Sequence, residues 1–245
     1  MNITIPKKDL LRLVSRCQGV ADKKSAIPAL SNVLLAATAD GTLRVSATDM
    51  YLSVTGSCTA DVADPGAVAL PARELLERVK AMPDGPVVIS VGDGASVTIK
   101  ASGAARRFTI HGIPGADFPP LPQPAEGAHV RSLPVALLSS LIAHTHFSVS
   151  TDETRAHVNS MLFEFSPGAV RAVSTDGHRL SKIDAPCDGA EGTATMLLPL
   201  KAINELRRLA DAADGSAVTI TQSGPNAFFD FYDARFIVKL VDAQF

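Results

Sequence analysis

The stretch Ser174-Thr175-Asp176-Gly177-His178-Arg179 holds a hydroxyl, a carboxylate and an imidazole within five positions. Nucleophilic catalysis needs such groups to converge through the fold, with the base bonded to the nucleophile and donors waiting for an oxyanion. Adjacency along the chain does not supply that, and no G-x-S-x-G elbow is present. A hydrolase using Asp176 and His178 is therefore only a runner-up. Gly92-Asp93-Gly94 lacks the third glycine and the following helix of a dinucleotide loop, so it reads as a hairpin turn. No phosphate-binding G-x-x-x-x-G-K-[ST] loop occurs. His144 and His146 are two apart near a helix end and so face different ways, unlike the i, i+4 zinc spacing. The three cysteines, Cys17, Cys58 and Cys187, are far apart and odd in number, which fits reduced thiols. No catalytic residue, metal or cofactor is expected.

The same region looks different beside an internal repeat. Asn32 to Asp49 (NVLLAATADGTLRVSATD) aligns without a gap on Asn159 to Asp176 (NSMLFEFSPGAVRAVSTD). Asn32/Asn159, Leu35/Leu162, Gly41/Gly168, Arg44/Arg171, Thr48/Thr175 and Asp49/Asp176 are identical pairs. Leu70-Pro71 and Arg107-Phe108 match Leu198-Pro199 and Arg235-Phe236 further on. The shared Thr-Asp is expected to serve the fold by capping a turn. Gly177-His178-Arg179-Leu180 belongs to the second repeat alone. It combines a free backbone, two donor side chains and, with Val158, apolar surface, which suits a short peptide with apolar anchors.

The elements that must position these residues follow from periodicity. Helical stripes are predicted over Lys7 to Val20 (Leu10, Leu13, Val14, Cys17, with Lys8, Arg12, Ser15 and Arg16 facing away) and Ala72 to Met82 (Leu75, Leu76, Val79, Met82). Two more run through Leu137, Leu138, Leu141, Ile142 and through Ile203, Leu206, Leu209. Strands alternate between them, as in Thr42-Leu43-Arg44-Val45-Ser46, and Asp-Gly pairs at 40–41, 84–85, 93–94 and 214–215 signal hairpins. This order predicts an α+β fold with two helices on antiparallel sheets in each repeat. The run Pro119-Pro120-Leu121-Pro122-Gln123-Pro124 is a stiff connection, so domains are expected over 1–122 and 123–245.

The chain of 245 residues is 46% hydrophobic, enough for packed cores. Its apolar runs are far shorter than the roughly 18–20 residues of a membrane span, and its first residues carry no secretory pattern. A cytoplasmic location is expected. The formal net charge is −2, which argues against wrapping nucleic acid by bulk charge. The charge is uneven, however. Thirteen basic and eleven acidic side chains precede residue 125, and ten and fourteen follow it. Three of the four predicted helices have basic polar faces, the third being uncharged.

With these residues in view, the sequence resembles the bacterial DNA polymerase III beta subunit, or sliding clamp, over its whole length. Met161-Leu162-Phe163-Glu164, Thr175-Asp176-Gly177-His178-Arg179-Leu180 and Lys239-Leu240-Val241-Asp242 carry the resemblance in the second repeat. Ala26-Ile27-Pro28-Ala29-Leu30-Ser31-Asn32, Leu70-Pro71-Ala72-Arg73 and Pro114-Gly115-Ala116-Asp117-Phe118-Pro119 carry it in the first. The resemblance implies tandem clamp domains with helices towards duplex DNA and sheets outside. It also implies a head-to-tail homodimer that encircles DNA without sequence-specific contact. The implied partners are the polymerase III alpha subunit, the clamp loader and other proteins with a clamp-binding motif. It places the partner-peptide pocket at Val158, Thr175, Gly177, His178, Arg179 and Leu180. It places DNA contacts at Lys23, Lys24, Arg73, Arg155, His157 and Lys201. Ala156 and His157 stand where some members carry aromatic residues, so the same stacking is not available. The family has a third domain that completes the pocket and the dimer interface, so the chain reads as a fragment of a clamp subunit. The other reading is a two-repeat adaptor that binds proteins without encircling DNA.

Overall fold

The structure, a computed structural model, describes residues 1–22, 25–103, 105–188, 192–213 and 217–245. Lys23, Lys24 and the Asp214-Gly215 pair lie outside the described residues. The chain forms two compact units, Met1–Leu121 and Pro122–Phe245.

Unit 1 runs β1 (Asn2–Pro6), α1 (Lys7–Cys17), β2 (Asn32–Ala37), β3 (Thr42–Thr48), β4 (Leu52–Thr59), β5 (Asp61–Asp64), β6 (Gly66–Pro71), α2 (Ala72–Ala81), β7 (Pro86–Val91), β8 (Ser96–Ala101), β9 (Arg107–His111) and β10 (Ile113–Pro114). Its strands make two antiparallel sheets, β5-β1-β7-β8-β9 and β10-β6-β2-β3-β4. Unit 2 runs β11 (Val130–Pro134), α3 (Val135–Thr145), β12 (Ser160–Ser166), β13 (Ala169–Thr175), β14 (Leu180–Pro186), β15 (Ala194–Pro199), α4 (Leu200–Asp211), β16 (Ala217–Ser223), β17 (Asn226–Asp230) and β18 (Ala234–Lys239). It repeats the pattern with β11-β16-β17-β18 and β15-β12-β13-β14. In each unit the two helices pack on one another and on the strands, α1 against β3 and β4, α3 against β13 and β14. The predicted α+β architecture is therefore present in both repeats.

The four α-helices among the described residues begin directly after a proline that closes a strand: Pro6, Pro71, Pro134 and Pro199, with φ from −52° to −66°. The ring fixes φ near −65° and removes a donor the sheet would otherwise use. The chain therefore leaves the ladder and enters the helix at one residue. The core of unit 1 is aliphatic, with Ile3, Ile5, Leu10, Leu13, Leu35, Leu43 and Leu70 buried. Unit 2 adds Phe163, Phe228, Phe229 and Phe236. Each such side chain contributes about 1.5–3 kcal/mol by leaving water, which holds the helices on the sheets.

Four expectations need correction. The gapless repeat alignment fails in its first strand. Leu35 pairs with Val68 and Val45, while its structural counterpart Phe163 pairs with Met196 and Ala172. β2 therefore maps to β12 at an offset of 128 (35 to 163) and β3 to β13 at 127 (45 to 172), because the second hairpin is one residue shorter. The identities Leu35/Leu162 and Asn32/Asn159 are thus coincidental. Leu35 is buried and Leu162 only half-buried, since a one-residue slip reverses the faces of a strand. Second, α1 stops at Cys17, short of Val20. Third, Arg16 does not face away but is buried. Fourth, Asp84-Gly85 is not a hairpin. It joins α2 to β7, and the Gly85 carbonyl accepts the Lys7 N–H at 2.9 Å. The Asp40-Gly41 and Asp93-Gly94 turns do join paired strands, with Gly41 at φ 83° and Gly94 at φ 62°.

Candidate functional site

Strands β13 and β14 are joined by the turn Asp176–Arg179, and its Asp and preceding Thr build it. Thr175 Oγ1 accepts the Gly177 N–H at 3.1 Å and donates to the Arg179 carbonyl at 2.7 Å. Asp176 Oδ1 accepts the N–H groups of His178 and Arg179, both at 3.0 Å. These two N–H groups, with the Arg179 side chain, hold the Asp176 carboxyl down at about 2. Unit 1 contains the same network. Thr48 Oγ1 accepts from Met50 N–H and donates to the Leu52 carbonyl, both at 3.0 Å, and Asp49 Oδ1 accepts from Tyr51 and Leu52. The shared Thr-Asp pair is therefore a turn-building device, as its presence in both repeats suggested.

What differs is what each turn displays. The register places Leu180 opposite Thr175 just as Ser53 lies opposite Thr48, so Arg179 takes the place of Leu52. Leu52 is buried, whereas Arg179 and Leu180 are exposed. Arg179 is held on two sides. Its Nε bonds Asp176 Oδ2 at 3.0 Å, and its Nη2 donates to the Phe147 carbonyl at 2.6 Å. The guanidinium lies 5.9 Å from the Phe147 ring centre, and that ring is itself exposed. Ser148 and Ser181 hydroxyls meet at 2.6 Å, and Ser174 Oγ donates to the Thr145 carbonyl at 2.5 Å. The turn is thus bolted to the segment that follows α3. Phe147 was not singled out from sequence, because nothing in its spacing shows that its carbonyl meets Arg179.

The loop at 150–158 forms the neighbouring wall. Ser150 N–H donates to the Val158 carbonyl at 2.9 Å, and Val158 is buried. Arg155 pairs with Asp152 at 2.8 Å, and a Cβ on Gly177 would stand 3.8 Å from Arg155 Nη1. Ser150, Asp152, Arg155, Asp176, His178 and Arg179 line a groove of ≈ 360 Å³. Arg155, placed with the DNA contacts by the resemblance, therefore sits against the turn that the same resemblance assigns to a peptide pocket. A larger cavity of ≈ 530 Å³ shares no residue with this groove and lies beneath Leu240–Phe245, against Leu197 and Gln222.

The remaining candidates lie elsewhere. Arg73 is exposed on α2 and paired with Glu77 at 3.0 Å. Lys201 is exposed in the first turn of α4, which the Leu200 N–H ties to the Asn159 carbonyl at 3.0 Å. His157 is exposed in the loop. Lys23 and Lys24 fall outside the described residues.

The hydroxyl, carboxylate and imidazole of 174–178 do not converge. Ser174 is fully buried with its hydroxyl on a backbone carbonyl. Asp176 is engaged by the turn. The His178 ring is exposed and takes no part in the turn's hydrogen bonds among the described residues.

Residues 1–122 match the DNA polymerase III beta subunit N-terminal domain, and residues 132–245 match its central domain. The chain belongs to this family. Among beta-subunit relatives, the beta sliding clamp of Caulobacter vibrioides is 33% identical over 250 residues, covering 100% of this chain and 66% of that protein. The Caulobacter crescentus pol III beta structure superposes with a TM-score of 0.92 at 34% identity, covering all of this chain and 67% of that one. The Pseudomonas aeruginosa DnaN sliding clamp bound to griselimycin gives a TM-score of 0.90 at 32% identity, covering all of this chain and 66% of that one. The chain spans 66% of the length of the curated relatives it matches. No helix among the described residues is long and apolar enough to cross a membrane.

Proposed function

We propose that the chain supplies two domains of a DNA sliding clamp, a cytoplasmic, non-enzymatic ring that encircles duplex DNA and tethers a replicative polymerase. Two subunits joined head to tail close such a ring. The observation that supports this reading is the duplicated domain, in which each copy lays two helices on two antiparallel sheets and each matches a successive domain of the beta subunit. Phosphates attract Lys and Arg irrespective of sequence, and excess acidity elsewhere discourages sticking. The DNA contacts are Lys23, Lys24, Arg73, Arg155, His157 and Lys201. Arg73 and Glu77 are both exposed, so their pairing is weak enough for a phosphate to compete. The surface around the β13–β14 turn, at Val158, Thr175, Gly177, His178, Arg179 and Leu180, receives the peptide motif of the polymerase alpha subunit, the clamp loader and other partners.

Fluorescence anisotropy of a labelled duplex tests the DNA reading. The expected result is weak, sequence-independent binding that steepens as salt falls and is reduced by charge reversal at Lys24, Arg73 or Lys201. Absence of binding at low salt would sink it.

A further inference from the structure

The helix arginines Arg12, Arg73, Arg78 and Arg208 each face a carboxylate on their own helix, Arg208 through two hydrogen bonds to Glu205. Arg207 differs. It is exposed on α4 and makes no ion pair among the described residues. Its Nη1 instead meets His146 Nε2 at 3.2 Å. A guanidinium can only donate, so Nε2 is the acceptor and the imidazole proton resides on Nδ1. That nitrogen lies 3.0 Å from the Ile142 carbonyl, to which it donates. Both contacts are satisfied only by the neutral ring, which steadies the arginine without cancelling its charge. The adjoining helix α3 carries no acidic residue, and its exposed face presents Ala136, Ala143 and His144. On α4, Lys201, Asn204 and Arg207 are exposed at three-residue steps, a stripe of about 9 Å along one helix side. Asp211 is the acid that follows one turn later.

We infer that Arg207 is a phosphate contact of the α4 face and that His146 is its positioning residue, an inference that rests on the DNA-binding reading above. A duplex presents about one charge per 1.7 Å of axis, so a stripe of this length meets several phosphates. His146 removes part of the disorder that a long side chain otherwise loses on binding.

The test is anisotropy of a labelled duplex of mixed sequence against the 245-residue chain, at salt from about 50 to about 200 mM. Arg207→Ala is expected to weaken binding roughly tenfold at the lowest salt and to reduce the log–log salt slope by about 0.9. Arg208→Ala, already neutralised by Glu205, is expected to change the slope little. His146→Leu is expected to weaken binding a few-fold in the parent and to have no effect in the Arg207→Ala background. His146→Gln, which keeps a donor and an acceptor, is expected to restore binding. If Lys201→Ala weakens binding and Arg207→Ala changes neither affinity nor slope, the inference fails while the clamp reading stands. If the parent chain binds no duplex at the lowest salt, the clamp reading fails first. If His146→Leu weakens the Arg207→Ala variant as much as the parent, the positioning role is overturned.

Discussion

Met50 and Gly177 occupy the same place in the same turn, and both hold a positive φ, 76° and 92°. The Thr-Asp hydrogen bonds around them force the chain through that conformation in both units. Glycine adopts it freely, whereas a side chain is strained by roughly 1–2 kcal/mol. Met50→Gly is therefore expected to stabilise the protein by about 1 kcal/mol, and Gly177→Ala to destabilise it by about as much. Denaturant midpoints check both. A Met50→Gly variant less stable than its parent would mean that its side chain contributes more than the strain.

Asp176 carries a pH signature. Its folded value of about 2 lies below the ordinary 3.8, so its contribution is complete above that ordinary value and is lost as pH falls towards 2. Asp176→Asn cannot hold the Arg179 guanidinium by charge. The variant is expected to be less stable than the parent at neutral pH, with the gap closing on acidification. Melting curves from pH 2 to 7 read this directly, and a gap that widens in acid would contradict it.

His178 and Arg179 separate binding from folding. The His178 ring stands outside the turn's bonds, so His178→Ala is expected to leave the melting temperature unchanged and to weaken a partner-motif peptide about tenfold in a full-length clamp background. Arg179→Ala loses the bonds to Asp176 and Phe147, yet the side chain is 61% exposed, so its stability loss is expected to stay under about 1 kcal/mol. Its peptide affinity is expected to fall at least as far. Peptide affinity unchanged in both variants would remove the turn from the binding site.

Arg131 predicts a gain. It is buried on β11, its Nε has no partner, and its guanidinium rests 5.5 Å from the Phe165 ring centre. Replacing a buried N–H that has no partner with an apolar side chain of similar length is favourable. Arg131→Met is expected to stabilise by about 1 kcal/mol, raising the melting temperature by about 3 °C. A lower melting temperature would show that the contact of the guanidinium with the Phe165 ring outweighs the unpaired N–H.

Much of this molecule was legible along the chain. Pro6, Pro71, Pro134 and Pro199 mark where each strand hands over to a helix, because a locked φ acts whatever surrounds it. The stripes of Leu10, Leu13 and Val14 and of Ile203, Leu206 and Leu209 settled which faces are buried, since periodicity needs no partner to be read. The duplicated Thr-Asp announced a shared turn for the same reason: its hydrogen bonds close within four residues. Only the tertiary structure decided the rest. The one-residue shortening of the second hairpin left Leu35 equivalent to Phe163, because strand pairing, not residue identity, sets register. Arg16 went inward although its helix stripe put it on the polar face, and Arg179 stays exposed where Leu52 is buried at the matching place of the first repeat, because burial depends on what packs against them. The contacts of Phe147 with Arg179 and of His146 with Arg207 join residues 32 and 61 positions apart. Such meetings arise only when helices and sheets pack, and no local pattern encodes them.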